Sequence, residues 1–236
     1  MKFNPSPLLL TAISLVLLAG MSSGAIVTYT IDPARSSLTM SATYSTFAIT
    51  AQSAGSLIDS YNGSITGDLA GGTLTFSGGS TIIALLNPNA GAGFAPTPGT
   101  GGTDNYGGQI PAIGATLAFR SINFDLLSGD VVSGTPSTAP LQFTSGHADY
   151  FAPPLTPPTG TVDFIGETAA NTSASNATLL TAGSVETLTI PVTVFYPGDL
   201  SATFTGQIVA VRNIPEPTSL LLAAMGLAVG LRRRRR

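Results

Sequence analysis

Few residues in this chain could do chemistry, and they are thinly spread. His147 is the only histidine. Ser145 stands two residues before it and Asp149 two after, but a nucleophile and its base must meet in space, and this spacing does not establish that. Glu167 and Glu186 are the glutamates of the central region, with Asp125, Asp149 and Asp163 as acids that could face them across a glycosidic bond. Asp104, Asp125 and Asp130 have oxygen-rich neighbours of the kind calcium uses, yet no segment keeps the D-x-[DN]-x-[DN]-G spacing of a calcium loop. Cysteine is absent, which removes disulfides and thiolate metal sites. The residues therefore predict no catalytic centre, no metal and no cofactor, and the protein is expected not to be an enzyme. His147 is expected in an exposed loop beside Asp149. Tyr106, Tyr150 and Phe151 fall in irregular stretches and are the candidates for exposed aromatic platforms that hold glycans. There is no tryptophan to help them.

The elements that must position these residues read as strands. Ile26–Ile31 is rich in β-formers and stops at Asp32-Pro33, and Leu38–Tyr44 alternates with period two. Ser64–Leu69, Thr73–Phe76 and Thr81–Leu86 follow, separated by glycine pairs that suit a meander. Ala115–Leu126 predicts one long strand or a pair. Glu186–Tyr196 and Ser201–Val211 predict a hairpin around Pro197-Gly198-Asp199, with Pro191 forcing an edge or a bulge. Asn87–Ile110, Pro136–Pro158 and Ala169–Thr178 read as loops. No long run has helical periodicity, so residues 26–212 predict an all-β domain, a sandwich of jelly-roll type. Its basic residues are Arg35, Arg120 and Arg212, against eleven acids, which excludes a nucleic-acid surface.

The two ends are of a different kind. Met1-Lys2 followed by the apolar Leu8–Leu18 run, then Ser23 and Ala25 as small residues before a cut ahead of Ile26, reads as a signal peptide over residues 1–25 removed by signal peptidase. At the other end Pro215-Glu216-Pro217 is expected to be extended, because each proline fixes φ and lacks an N–H. Leu220–Leu231 follows as an apolar helix, and Arg232, Arg233, Arg234, Arg235 and Arg236 close the chain. A helix over 218–231 rises roughly 20 Å, short of the ~30 Å hydrocarbon core. The arginines should stay on the cytoplasmic side.

Pro215-Glu216-Pro217, the Leu220–Leu231 run and the arginine cluster together resemble the PEP-CTERM sorting domain of Gram-negative bacteria, over residues 213–236. The resemblance implies a substrate of exosortase, a membrane-embedded cysteine-type transpeptidase that cuts near the tripeptide. It implies an inner-membrane intermediate held by the C-terminal helix, then delivery to the cell surface or extracellular matrix. A structural or adhesive role in exopolysaccharide or biofilm, with extracellular polysaccharide as partner, follows from the same resemblance. Glycan or calcium binding by the β-domain is the alternative. Tyr29–Leu38 is also similar to the opening of the YceI-like family, which implies a lipocalin-like barrel for an apolar ligand.

Overall fold

The computed structural model describes residues 24–90 and 103–214. Residues 1–23 of the expected signal peptide, Ser23 among them, the Pro215–Pro217 motif, the expected C-terminal helix and Arg232–Arg236 lie outside the described residues. Within them the chain is all-β, as expected, with one short 3₁₀ turn at Pro111–Ile113. No helix among the described residues is long and apolar enough to cross a membrane.

The strands are β1 (Ala25–Ile31), β2 (Ser37–Tyr44), β3 (Phe47–Ala51), β4 (Ile58–Ala70), β5 (Thr73–Phe76), β6 (Thr81–Ala84), β7 (Asp104–Ile110) and β8 (Ala115–Leu126). They continue as β9 (Gly129–Val132), β10 (Leu141–Phe151), β11 (Thr159–Asp163), β12 (Thr168–Ala169), β13 (Thr178–Ala182), β14 (Val185–Tyr196) and β15 (Leu200–Asn213). All join one antiparallel sheet, whose main path runs β11-β10-β8-β7-β3-β2-β15-β1-β4-β5-β9. The expected hairpin is present: β14 pairs with β15 from Val185↔Asn213 to Tyr196↔Ala202. β15 is flanked on its other side by β2 and β1.

The sheet wraps around a single core, because side chains from strands far apart on the path touch. Tyr106 of β7 meets Phe204 of β15 edge-on at 5.6 Å, and Phe143 of β10 meets Tyr196 of β14 at 4.5 Å. Phe124 lies among Phe143, Tyr196 and Phe204. Tilted and edge-to-face pairs of this kind add to the area term. Alternation supplies the core: β14 and β2 bury every second residue, as period two requires.

Asn171 closes the sheet on itself. Just beyond β12, which pairs with β10, it forms a bridge to Val194 on the outer edge of β14. Its buried side chain donates to Pro191 O at 2.8 Å and accepts from Thr193 N at 2.9 Å. Pro191 thus sits on β14's outer edge, in the gap between the end of β13 at Thr189 and the Asn171 bridge, where no ladder N–H is required.

Two expected loops are corrected: Asn87–Ile110 contains β7 and Pro136–Pro158 contains β10, while Ala169–Thr178 runs irregularly from β12 to β13 and contributes isolated bridges at Asn171 and Asn176. Glycine misled in both corrected cases. A Cβ on Gly107 would lie 2.5 Å from Ala90 O, and one on Gly108 2.3 Å from Ile49 Cγ2. These glycines permit close approach inside a sheet and do not mark turns. Gly146 (φ 139°) marks a break in the β8–β10 register, again within the sheet.

Candidate functional site

The residues with chemical potential fall into three polar clusters, a cavity and an outer face. In the first cluster, Arg120 on β8 reaches across two neighbours. Its Nε lies 2.6 Å from Asp104 Oδ1 on β7 and its Nη1 2.6 Å from the fully buried Asp149 Oδ2 on β10. Thr161 Oγ1 donates to Asp149 Oδ1 at 2.6 Å, and His147 Nε2 stands 3.5 Å from Asp149 Oδ2. His147 is therefore a strand residue in a structural ion-pair cluster, not an exposed loop residue. Ser145 Oγ donates to Ser121 O at 2.6 Å, so its hydroxyl is engaged with backbone.

In the second cluster, Tyr29 Oη donates to Glu186 Oε2 at 2.6 Å, and Arg212 Nε pairs with the same oxygen. The Arg212 guanidinium lies 5.3 Å from the centre of the Tyr29 ring. Burial would raise the Glu186 carboxyl, but the Tyr29 hydroxyl and Arg212 outweigh it and hold the group below its usual value. Burial and Glu186 together push the Tyr29 phenol well up.

The third cluster is Tyr61, Tyr106 and Asp59. The two phenol oxygens lie 2.5 Å apart and both rings are fully buried. Tyr106 is thus core, and the expectation of an exposed glycan platform there is corrected. Tyr150 and Phe151 are half-buried on β10. Burial raises the Asp59 carboxyl to about 7, with Ser60 N–H offsetting only part of the effect.

Of the suggested carboxylate partners, Glu167 and Asp163 are brought to one cavity, and the others separate. Glu186 is committed to Tyr29 and Arg212, and Asp149 to Arg120. Asp125 accepts from Gly79 N and Ser80 N, which fixes a turn. No group of three or more His, Cys, Asp or Glu able to hold a metal exists among the described residues.

A cavity of about 360 Å³ opens under the β14–β15 turn. Phe119, Phe143 and Phe204 lie at its base, Tyr44 and Tyr150 line its sides, and Asp163, Glu167 and Asp199 stand at its exposed rim. Sequence reasoning missed it, because its walls come from β2, β8, β10, β11, β14 and β15.

The outward face of β2, β15 and β14 is the other feature, with the Thr43 and Ser201 hydroxyls bonded to each other at 2.7 Å. Ser37, Thr39, Ser41 and Thr43 pair in register with Gln207, Thr205, Thr203 and Ser201. Thr205 and Thr203 pair in turn with Thr193 and Phe195. Rows of hydroxyls result, about 4.8 Å apart across strands. No charged residue occurs in 37–43, 187–195 or 201–207.

The body meets the tail abruptly. β15 ends at Asn213, and Ile214 N donates to Ser184 O at 2.7 Å, one residue before Pro215. Ala25, the expected last residue of the signal peptide, is the first residue of β1.

Residues 213–236 match the PEP-CTERM protein-sorting motif. The match covers about a tenth of the chain and begins at the last residue of β15. It does not extend to Tyr29–Leu38, and the likeness of that segment to the YceI-like family has no support. No curated protein and no solved structure matches the chain. The motif marks an exported protein sorted by an exosortase toward the cell surface.

Proposed function

We propose that this is a structural or adhesive protein of the cell surface or extracellular matrix of a Gram-negative bacterium, without a catalytic centre, that holds neutral polysaccharide on the hydroxyl face of β2, β15 and β14. The sorting motif supports delivery, and one observation carries the role. A broad face of a closed, densely packed sheet carries rows of serine and threonine and no charge. Such a face can exchange hydrogen bonds with a polyhydroxylated chain, and immobilised strands lose little entropy in doing so. Glu186, Asp149 and Asp125 are committed to structural contacts, which supports a non-enzymatic reading, while Glu167 and Asp163 stand at the cavity rim.

Co-sedimentation of the full chain with an insoluble neutral glucan tests the role. The wild type should pellet with the glucan, and Thr203→Lys with Thr205→Lys should stay in solution. Equal pelleting of both overturns the reading. Delivery is tested separately by Pro215→Ala with Glu216→Ala, which should leave full-length protein in the membrane fraction. Normal release of that variant removes the sorting step. Loss of a hydrolytic activity on changing His147 or Glu167, with sorting intact, would make the protein an enzyme after all.

A further inference from the structure

The cavity under the β14–β15 turn differs from the hydroxyl face in shape and in charge. We propose that it binds a small cation: a primary ammonium group beside an apolar face, on a molecule of one or two rings. The volume of about 360 Å³ lies within the range of about 300–1,000 Å³ that ligand sites occupy. Aromatic side chains form its base and sides, and their π-faces attract both a cation and the C–H face of a ring.

Charge sets the sign of the ligand. Asp163, Glu167 and Asp199 ring the mouth, and no lysine or arginine lines it. The body has three arginines, and each pairs with other carboxylates: Arg35 with Asp32, Arg120 with Asp104 and Asp149, and Arg212 with Glu186. The body therefore holds no arginine or lysine to neutralise the rim, and a concave wall of one sign concentrates counter-ions. Phosphates and acidic sugars are repelled by the same rim.

The rim is also held in place. Ser45 N donates to Asp199 O at 2.8 Å, which fastens the β14–β15 turn to the end of β2. Phe164 N donates to Gly146 O, Glu167 N to Phe164 O, and Phe143 N to Glu167 O, all within 3.0 Å. These bonds set the Phe164 ring beside Phe143, with centroids 5.3 Å apart, and place Glu167 just beyond it. A site already assembled loses little freedom when it binds.

An amino sugar within a deacetylated polysaccharide and a free amine share this chemistry. Calorimetric titration of the full chain with a β-1,4-linked glucosamine disaccharide, its N-acetylated form and 2-phenylethylamine separates them. At least one of the two amines should bind, and high salt should weaken it because the rim is exposed. The acetylated disaccharide should bind at least about tenfold more weakly. Asp163→Asn, Glu167→Gln and Asp199→Asn together should cost about tenfold in affinity, the sum expected of three exposed charge contacts. Asparagine at 163 keeps the oxygen that accepts from Ile165 N. Ala202→Phe, which fills the cavity, should abolish binding. Should that variant fail to fold, the three surface changes carry the test. Binding of the disaccharide alone identifies a polysaccharide source, and binding of phenylethylamine alone a free amine. Equal affinity for acetylated and free-amine forms, indifference to the three neutralisations, or no amine binding in the millimolar range overturns the proposal. The site stands apart from the hydroxyl face: the Thr203→Lys, Thr205→Lys variant should bind amine unchanged even where it no longer pellets with glucan.

Discussion

Glu186 and Asp59 are both buried carboxyls beside tyrosines, and their acidities move in opposite directions. Both suffer desolvation, Asp59 more than Glu186, and it disfavours the charged form. Glu186 has Arg212 and the Tyr29 hydroxyl on one oxygen, and its pKa falls. Asp59 has the Tyr61–Tyr106 pair nearby, no arginine, and rises to about 7. The contrast shows how far cations organise this protein. With three arginines in the body, a buried acid is either matched by one or becomes a weak acid.

The contrast is broken most severely by Arg212→Met, which strands Glu186 in the core edge. Loss of one partner of such a pair costs about 3 kcal/mol, and denaturant unfolding should show it. Adding Glu186→Leu should recover part of the loss, because two apolar groups leave no stranded charge. If the single variant unfolds like wild type, the ion pair is ornamental and the contrast fails.

Asp59 sharpens it through pH. Its folded pKa lies above that of an unfolded aspartate, so between about pH 4 and 7 the native state alone keeps the proton, and stability falls as pH rises. The slope is at most ~1.4 kcal/mol per unit, up to ~3 kcal/mol between pH 5 and 8. Glu186 acts in the opposite sense: its contribution is present above its unfolded value and is lost as pH falls through its lowered folded value. Thermal melts should therefore be highest on the acid side of neutrality, and Asp59→Asn should flatten the decline toward pH 8. A wild-type melting temperature constant from pH 5 to 8 contradicts this.

Asn171→Ala asks whether a neutral amide can matter as much as an ion pair. It removes the contacts to Pro191 O and Thr193 N at the closing bridge, and should cost about 2 kcal/mol. Amide exchange should quicken around Thr172 and Thr193 first, since their own bond lies at that bridge. The smallest effect belongs to Thr203→Val with Thr205→Val. Stability should change by less than about 0.5 kcal/mol, while glucan pelleting drops.

How much of this could be read from the chain depends on sequence distance. The sorting motif and the β14–β15 hairpin are local: one is an ordered run of residues, the other an alternation either side of Pro197-Gly198-Asp199. Strands β7 and β10 escaped because Gly107, Gly108 and Gly146 look like turn residues and serve close packing. The polar clusters escaped for another reason. Tyr29 and Glu186 are 157 positions apart, and the rim of the cavity gathers carboxylates from two separate turns. Nothing in a scattered set of acids says which of them an arginine will find.

β15 is the strand by which the chain leaves the fold, and this has a mechanical meaning. While the sorting segment is attached to the membrane and the body to its surroundings, tension enters at Ile214 and runs lengthwise along β15. Twelve residue pairs with β14 and eight with β2 lie beside that line. When the opposing force acts at the far end of β14 and β2, these pairs are loaded in shear, all together, instead of being unzipped one after another. Detachment under force is then governed by the barrier to breaking the ladder as a whole. A surface protein hung in this way can bear a load before it loses its shape.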